Sequence, residues 1–167
     1  YKYAVTCLIT MLFPLLLHSQ TASLNGDALS GTLGNTCSPI EWRASARMIS
    51  EKEGVVTVIA TIADGWHLYG MKMPETGPKP TQVKFELPAG VELTGKLTVN
   101  RGTVRKYDDM FGGELEYWGS GELKFTRHFK ITKAEGHIPI KCMVSFMGCN
   151  DETCLPPQLK SFNITLM

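Results

Sequence analysis

Residues 55–62 read Val-Val-Thr-Val-Ile-Ala-Thr-Ile, and this segment indicates the fold class of the chain. Every residue in it except Ala60 is β-branched, a property that favours strands, and the turn residues Asp64-Gly65 follow. Similar segments recur along the chain. The turn signals that separate them include Pro88-Ala89-Gly90, Asn100-Arg101-Gly102 and Gly112-Gly113.

The alternation of apolar and polar residues predicts eight or nine short strands joined by regular turns. Extended patterns occur at 42–49, 55–62, 66–69, 81–87, 91–99, 103–107, 114–118, 123–131, 137–146 and 161–166. After residue 22, no window holds apolar residues at helical spacing for three turns. We therefore predict an all-β protein, folded as a single antiparallel β-sandwich.

Composition narrows the class of protein further. The chain has 167 residues, of which 43% are hydrophobic and 20% charged, so it can bury a core and is not a disordered chain. Lys and Arg total 17 against 16 for Asp and Glu. This balance argues against nucleic-acid binding through a basic face and against an electrostatic membrane anchor.

The N-terminal residues have the pattern of a secretory signal peptide. Lys2 precedes the uncharged run 4–17, and the small and polar residues 18–23 follow it. We predict a cleaved signal over 1–22, a flexible leader over 23–38 and the folded domain over 39–167, with no membrane span in the mature chain. Export takes the domain to an oxidising compartment, where disulfides form.

Loss of the signal would remove Cys7 and leave an even number of cysteines: Cys37, Cys142, Cys149 and Cys154. Cys149 and Cys154 enclose four polar residues, the length of a hairpin turn. Opposed hairpin residues have Cα atoms ~4.5–5.5 Å apart, within the range that a disulfide spans. These two cysteines can therefore bond to each other without movement of the backbone.

The spacing alone leaves the role of this bond open between redox exchange, a structural bridge and metal binding. Closing so short a loop stabilises a fold by only ~2 kcal/mol in the chain-entropy account. The polar turn keeps the sulfurs reachable, as exchange requires. Asp151 and Glu152 should raise the thiol pKa and make either cysteine a weak attacker.

Two other sets of residues have alternative interpretations. Cys37 and Cys142 form a possible second disulfide, and buried free thiols are the alternative. Met71, Met73 and His67 suggest copper handling, because thioethers are soft ligands, but packing within a loop or core explains them more simply.

The sequence resembles the N-terminal periplasmic domain of the transmembrane thiol:disulfide interchange protein DsbD, also known as the disulfide bond corrector domain. The resemblance extends over about 39–166. It is carried by Pro39-Ile40-Glu41-Trp42, Asp64-Gly65-Trp66-His67-Leu68-Tyr69, Lys106-Tyr107-Asp108-Asp109-Met110-Phe111 and Cys149-Asn150-Asp151-Glu152-Thr153-Cys154-Leu155-Pro156-Pro157.

This resemblance implies an immunoglobulin-like sandwich whose redox pair is Cys149 and Cys154. It implies a cap loop beside the sulfurs, with Phe111 as the covering ring, and His67 and Tyr69 on the strand beneath. The cap loop and its surroundings comprise Tyr107, Asp108, Asp109, Met110, Phe111, His67 and Tyr69. No metal ion or other cofactor is expected.

The resemblance also implies a function and its partners. The domain would relay reducing equivalents in the periplasm, as a protein-disulfide reductase does, through a reversible disulfide. A thioredoxin-like domain or protein would reduce it. A disulfide isomerase or a thioredoxin-like protein of cytochrome c maturation would receive the electrons. The alternative function is a noncatalytic immunoglobulin-like binding module in which the disulfide is structural.

Overall fold

The computed structural model describes residues 38–167, except 110, 134 and 135. The predicted signal peptide and all of the predicted leader but residue 38 therefore lie outside the described residues. The described part of the chain contains eleven strands and no helix. They are β1 (Ile40–Met48), β2 (Glu53–Ile62), β3 (His67–Tyr69), β4 (Gln82–Glu86), β5 (Val91–Val99), β6 (Val104–Asp108), β7 (Gly113–Trp118), β8 (Gly121–Ile131), β9 (Ile138–Phe146), β10 (Gly148–Cys149) and β11 (Gln158–Leu166).

The first sheet has the strand order β1-β2-β8-β5, and all its pairs are antiparallel. Its centre is the β-branched stretch on β2, where Val56, Val58 and Ala60 are fully buried and alternate with more exposed residues. This alternation places one face of the sheet on the core, as the period of a strand requires. Phe125 and Phe129 on β8 bury their rings on the same side.

The second sheet has the order β11-β9-β4 and supplies the other half of the core. Ile140, Val144 and Phe146 on β9 belong to the same buried cluster as the apolar residues of the first sheet. Trp42 on β1 joins the two sheets, because its ring lies 5.9 Å from that of Phe125 and 5.1 Å from that of Phe146. The prediction of an all-β protein folded as an antiparallel sandwich is confirmed.

The third sheet, which we call the site sheet, has the order β10-β3-β7-β6. Its strands are short, and β10 is only two residues long. A second, smaller apolar cluster lies on it, formed by Tyr69, Leu115 and Cys149 with four partly buried neighbours. This sheet therefore brings one predicted redox cysteine onto a packed surface separate from the main core.

The structure has eleven strands where eight or nine were predicted, and the ten extended patterns coincide with ten of these strands, with differences at the ends. The last strand starts at Gln158 rather than Ser161, because it pairs with β9 from Phe146 onward. The strand β10 was not predicted, because two residues carry too little pattern to be seen without their pairing partner β3. No helix in the described residues is long and apolar enough to cross a membrane.

Candidate redox site

Cys149 and Cys154 form a disulfide across the tip of a hairpin. The amide of Asn150 donates to the carbonyl of Thr153, and the amide of Leu155 donates to that of Gly148. These two hydrogen bonds flank the cysteines, which makes them a non-hydrogen-bonded antiparallel pair, the kind with the shorter Cα separation. Their Cα atoms are 4.0 Å apart, closer than the ~4.5–5.5 Å predicted for a hairpin pair.

The turn between the cysteines is shaped by the Asn150 side chain. Its Oδ1 atom accepts hydrogen bonds from the amides of Glu152 at 2.9 Å and Thr153 at 2.7 Å. This is the local side-chain bonding by which asparagine stabilises turns. The hairpin therefore holds the two cysteines opposite each other through its own backbone and Asn150.

The two cysteines differ sharply in exposure. Cys149 is only 2% exposed and belongs to the second apolar cluster, whereas Cys154 lies on the surface. Gly148 precedes the buried cysteine, and a Cβ atom there would lie 2.3 Å from Ile40 Cδ1 and 3.0 Å from the His67 carbonyl oxygen. The absence of a side chain at Gly148 thus lets β10 pack closely against Ile40 and β3, which buries Cys149. An incoming thiol therefore reaches the exposed Cys154 more readily than Cys149.

Tyr69 lies directly against the buried sulfur. Its hydroxyl is 3.1 Å from Cys149 Sγ, and it donates this hydrogen bond because a disulfide sulfur carries no proton. Burial raises the pKa of the Tyr69 hydroxyl, and the nearby Asp108 raises it further, so the donor keeps its proton. The Thr81 hydroxyl donates to the Tyr69 carbonyl at 2.6 Å, which fixes the strand that carries this side chain.

His67 is the direct cross-strand partner of Cys149 in the pairing of β3 with β10. Its imidazole contacts the rings of Tyr69 and Tyr117, with centroid distances of 5.2 Å and 5.1 Å. Partial burial lowers the pKa of His67; Asp151 opposes this shift, and Lys106 adds to it. The imidazole beside the buried cysteine is therefore neutral at physiological pH.

The disulfide opens into a cleft of about 800 Å³. The residues that line it come from the hairpin, the site sheet and the loops beside them. They include Trp66, His67, Tyr69, Lys106, Asp108, Phe111, Leu115, Tyr117, Cys149, Asn150, Asp151, Glu152, Thr153 and Cys154. The cleft is open to solvent, and both Cys149 and Cys154 line it, so a partner's side chain can reach the disulfide through it.

The predicted cap loop lies partly in this cleft. The Phe111 amide is 3.2 Å from Asp108 Oδ1, and the Thr76 hydroxyl donates to the Phe111 carbonyl at 3.0 Å. The Phe111 ring packs against the second apolar cluster, to which Cys149 belongs. Tyr107 is 61% exposed and does not line the cleft, Asp109 is exposed, and residue 110 lies outside the described residues.

Several residues of the site were not singled out from the sequence. Leu115 and Tyr117 reach the cleft because β7 pairs with β3, a long-range pairing that no local pattern reveals. Lys106 lay within the resembling motif, but its place in the cleft depends on the pairing of β6 with β7. Only Asn150 had a local signal, as an asparagine that opens a short polar turn.

The other predicted sulfur residues lie away from the disulfide or outside the described residues. Cys142 lies buried on β9 without a disulfide partner among the described residues, and burial raises the pKa of its thiol to about 11. Cys37, its possible partner, lies outside the described residues, so a second disulfide stays a prediction. Met73 packs against the second apolar cluster, and Met71 is 39% exposed. The described residues contain no group of three or more His, Cys, Asp or Glu placed to hold a metal ion.

Comparison with solved structures finds relatives of low similarity. The N-terminal domain of DsbD from Neisseria meningitidis, in the reduced form, is 25% identical with a TM-score of 0.45, over 73% of this chain and 83% of that one. The N-terminal periplasmic domain of ScsB from Proteus mirabilis is 14% identical with a TM-score of 0.48, over 76% of this chain and 45% of that one. No curated protein matches the chain.

The sequence model of one protein family matches residues 40–166, which include every described strand and the whole cleft. That family is described as the N-terminal domain of the thiol:disulfide interchange protein DsbD. A disulfide with one buried and one exposed cysteine, at the mouth of a cleft, fits a domain that relays electrons by thiol–disulfide exchange. The chain belongs to the family of DsbD N-terminal domains.

Proposed function

We propose that this chain relays reducing equivalents to partner proteins by reversible opening of the Cys149–Cys154 disulfide. The observation that carries the proposal is the difference in exposure between the two cysteines. A disulfide that only staples a fold needs no exposed sulfur, whereas exchange needs one sulfur that an incoming thiolate can attack. Cys154 at the cleft mouth meets that need.

The cycle uses two cysteines in different roles. A thiolate of the reductant attacks Cys154 Sγ, the Cys149–Cys154 bond breaks, and Cys149 leaves as a thiolate that takes up a proton. A second thiol of the reductant releases Cys154 and leaves the domain as a dithiol. The reduced Cys154 then attacks the disulfide of an oxidised client. Cys149 displaces the client from Cys154, so two electrons and two protons pass to the client.

The family and the open cleft support partners that bring a reactive thiol or disulfide to the exposed Cys154. For the upstream partner we propose a thioredoxin-like reductant. For the downstream partner we propose a periplasmic disulfide isomerase or a thioredoxin-like protein of cytochrome c maturation. Because these proposed partners are periplasmic, we propose that the domain works in the periplasm, which is also the destination expected from the predicted signal peptide. The balanced charges argue against a nucleic-acid partner.

Phe111 is proposed as the cap of this site. Its backbone is fixed at both its amide and its carbonyl, and its ring packs on the cluster that contains Cys149. A ring on the Cys149 side of the disulfide would narrow the approach of small thiols to Cys154 from the cleft until a partner displaces it, which is a gating step. Asp108, the last residue of β6 before this loop, lines the same cleft.

The experiment that tests the function is capture of a partner by the Cys149→Ser variant. Without its resolving thiol, Cys154 should stay joined to the oxidised client as a mixed disulfide that reducing agents release. The matched control is Cys154→Ser, which keeps only the buried cysteine of the pair and should capture nothing. If both variants capture the same proteins to the same extent, the proposed exchange at Cys154 is wrong.

The noncatalytic binding module makes the opposite prediction. In that case, neither variant forms a mixed disulfide, and binding of partners survives replacement of both cysteines by serine. Loss of the disulfide would then change only the stability of the domain, by ~2 kcal/mol for so short a loop.

A further inference from the structure

We propose that His67 is the proton acceptor for the buried thiol Cys149 in the step that releases the client, an inference that rests on the proposed exchange function. After Cys154 has joined the client, Cys149 must become a thiolate to attack it. Because Cys149 is only 2% exposed, bulk water has little access to its proton. A proton acceptor next to it on the protein removes this obstacle.

The register of the site sheet places His67 beside Cys149. The two residues are directly opposite in the antiparallel pairing of β3 with β10. Directly opposed residues project to the same face with Cβ atoms ~4.5–5.5 Å apart. The neighbouring pair, Leu68 and Gly148, faces the main core, since Leu68 is fully buried there and a Cβ on Gly148 would meet Ile40. His67 and Cys149 therefore share the opposite face, which is the wall of the cleft.

The surroundings of His67 favour a neutral imidazole that can take up a proton. Burial lowers its pKa below the ordinary value of about 6.5. Lys106 on β6 adds to that shift, and Asp151 in the hairpin turn opposes it. Tyr117 on β7 and Tyr69 on β3 hold the ring in place. The other charged groups that line the same cleft are Asp108 and Glu152.

The proposed step balances in protons and electrons. The Cys149 thiol gives its proton to the neutral His67 ring, and the Tyr69 hydroxyl, 3.1 Å from that sulfur in the disulfide form, donates to the thiolate. The thiolate attacks Cys154 Sγ, the Cys149–Cys154 bond forms, and the bond from Cys154 to the client breaks. The client leaves as a thiolate and takes the proton from His67, so the imidazole is neutral again. Acid–base assistance of this kind typically accelerates a reaction by ~10²–10⁴-fold.

The test follows oxidation of the reduced chain by a nitrobenzoate disulfide, whose released thiolate is coloured, in a stopped-flow instrument. The first thiolate reports attack by Cys154, and the second reports closure by Cys149. Background from the other cysteines is measured in the double variant Cys149→Ser, Cys154→Ser and subtracted. The variants are His67→Gln and His67→Tyr, the second of which keeps an aromatic ring at this position. The exposed His128→Gln is the control.

Both His67 variants should slow the second phase at least about tenfold at neutral pH while the first phase changes little. In the unmodified chain, the rate of the second phase should rise through the lowered pKa of His67 and then level off. In the variants, that rise should be missing and the rate should increase only in alkaline solution. A second phase with the same rate and pH profile in both variants as in the unmodified chain overturns the proton role alone. Absence of a second phase in the unmodified chain itself would instead contradict the proposed exchange function.

Discussion

Replacing Tyr69 with Phe removes one hydroxyl next to the buried sulfur and keeps the ring in the second apolar cluster. The hydroxyl donates to Cys149 Sγ across 3.1 Å, and Tyr69 is only 6% exposed, so water cannot readily substitute for the lost donor. In the reduced protein, this donor stabilises the Cys149 thiolate more than the thiol. We therefore expect Tyr69→Phe to raise the pKa of the Cys149 thiol.

The size of the shift follows from the difference between two hydrogen bonds. A hydrogen bond to a charged group contributes ~1.5–3 kcal/mol, and one between neutral groups contributes ~0.5–1.5 kcal/mol. The thiolate therefore loses about 1–1.5 kcal/mol more than the thiol when the hydroxyl is removed. Since one pKa unit corresponds to ~1.36 kcal/mol, the expected increase is about one unit.

The assay measures the pKa of Cys149 in a Cys154→Ser background, from the pH dependence of thiolate absorbance and of alkylation rate. Tyr107→Phe serves as the control, because this tyrosine is 61% exposed and lies outside the cleft. An unchanged Cys149 pKa in Tyr69→Phe would contradict this role of the hydroxyl, as would an equal increase in Tyr107→Phe. The first result would mean that the hydroxyl does not distinguish thiolate from thiol.

Three further changes test the cap, the close approach of the hairpin and the support of the site strand. Phe111→Ala should make reduction of the disulfide by small thiols several-fold faster in stopped-flow measurements, and equal rates would reject the cap. Gly148→Ala should lower the free energy of unfolding, measured in urea, by ~1–3 kcal/mol, because the alanine Cβ would lie 2.3 Å from Ile40 Cδ1. An unchanged urea midpoint would show that position 148 has room for a methyl group. Thr81→Val should cost ~1–3 kcal/mol, because the fully buried threonine donates to the Tyr69 carbonyl, which would lose that donor. Unaltered stability in this variant would mean that the acceptor finds another partner.

The fold was predictable because its strands carry their pattern locally. The β-branched residues of β2 and the turn that follows at Asp64-Gly65 mark a central strand without any knowledge of its neighbours. The disulfide was predictable for a similar reason, because a hairpin turn of four residues places its flanking cysteines opposite each other. Local spacing was sufficient in both cases.

The arrangement of the site was less predictable because it depends on pairings between distant segments. Tyr69 reaches Cys149 across 80 positions of sequence, and Leu115 joins them only because β7 pairs with β3. The difference in exposure between Cys149 and Cys154 also comes from tertiary packing, since the two cysteines lie five residues apart on one hairpin. A resemblance could name some of these residues, but only the structure gives their contacts.

The reduction potential of the Cys149–Cys154 disulfide, obtained by equilibration with defined glutathione or dithiol buffers, distinguishes an exchanging disulfide from a structural one. A disulfide that exchanges with partners should have a potential above about −300 mV, within reach of a thioredoxin-like reductant at ~−270 mV. We predict a value in that range and reversible interconversion of the disulfide and dithiol forms. A potential well below about −300 mV, typical of structural disulfides, would contradict it.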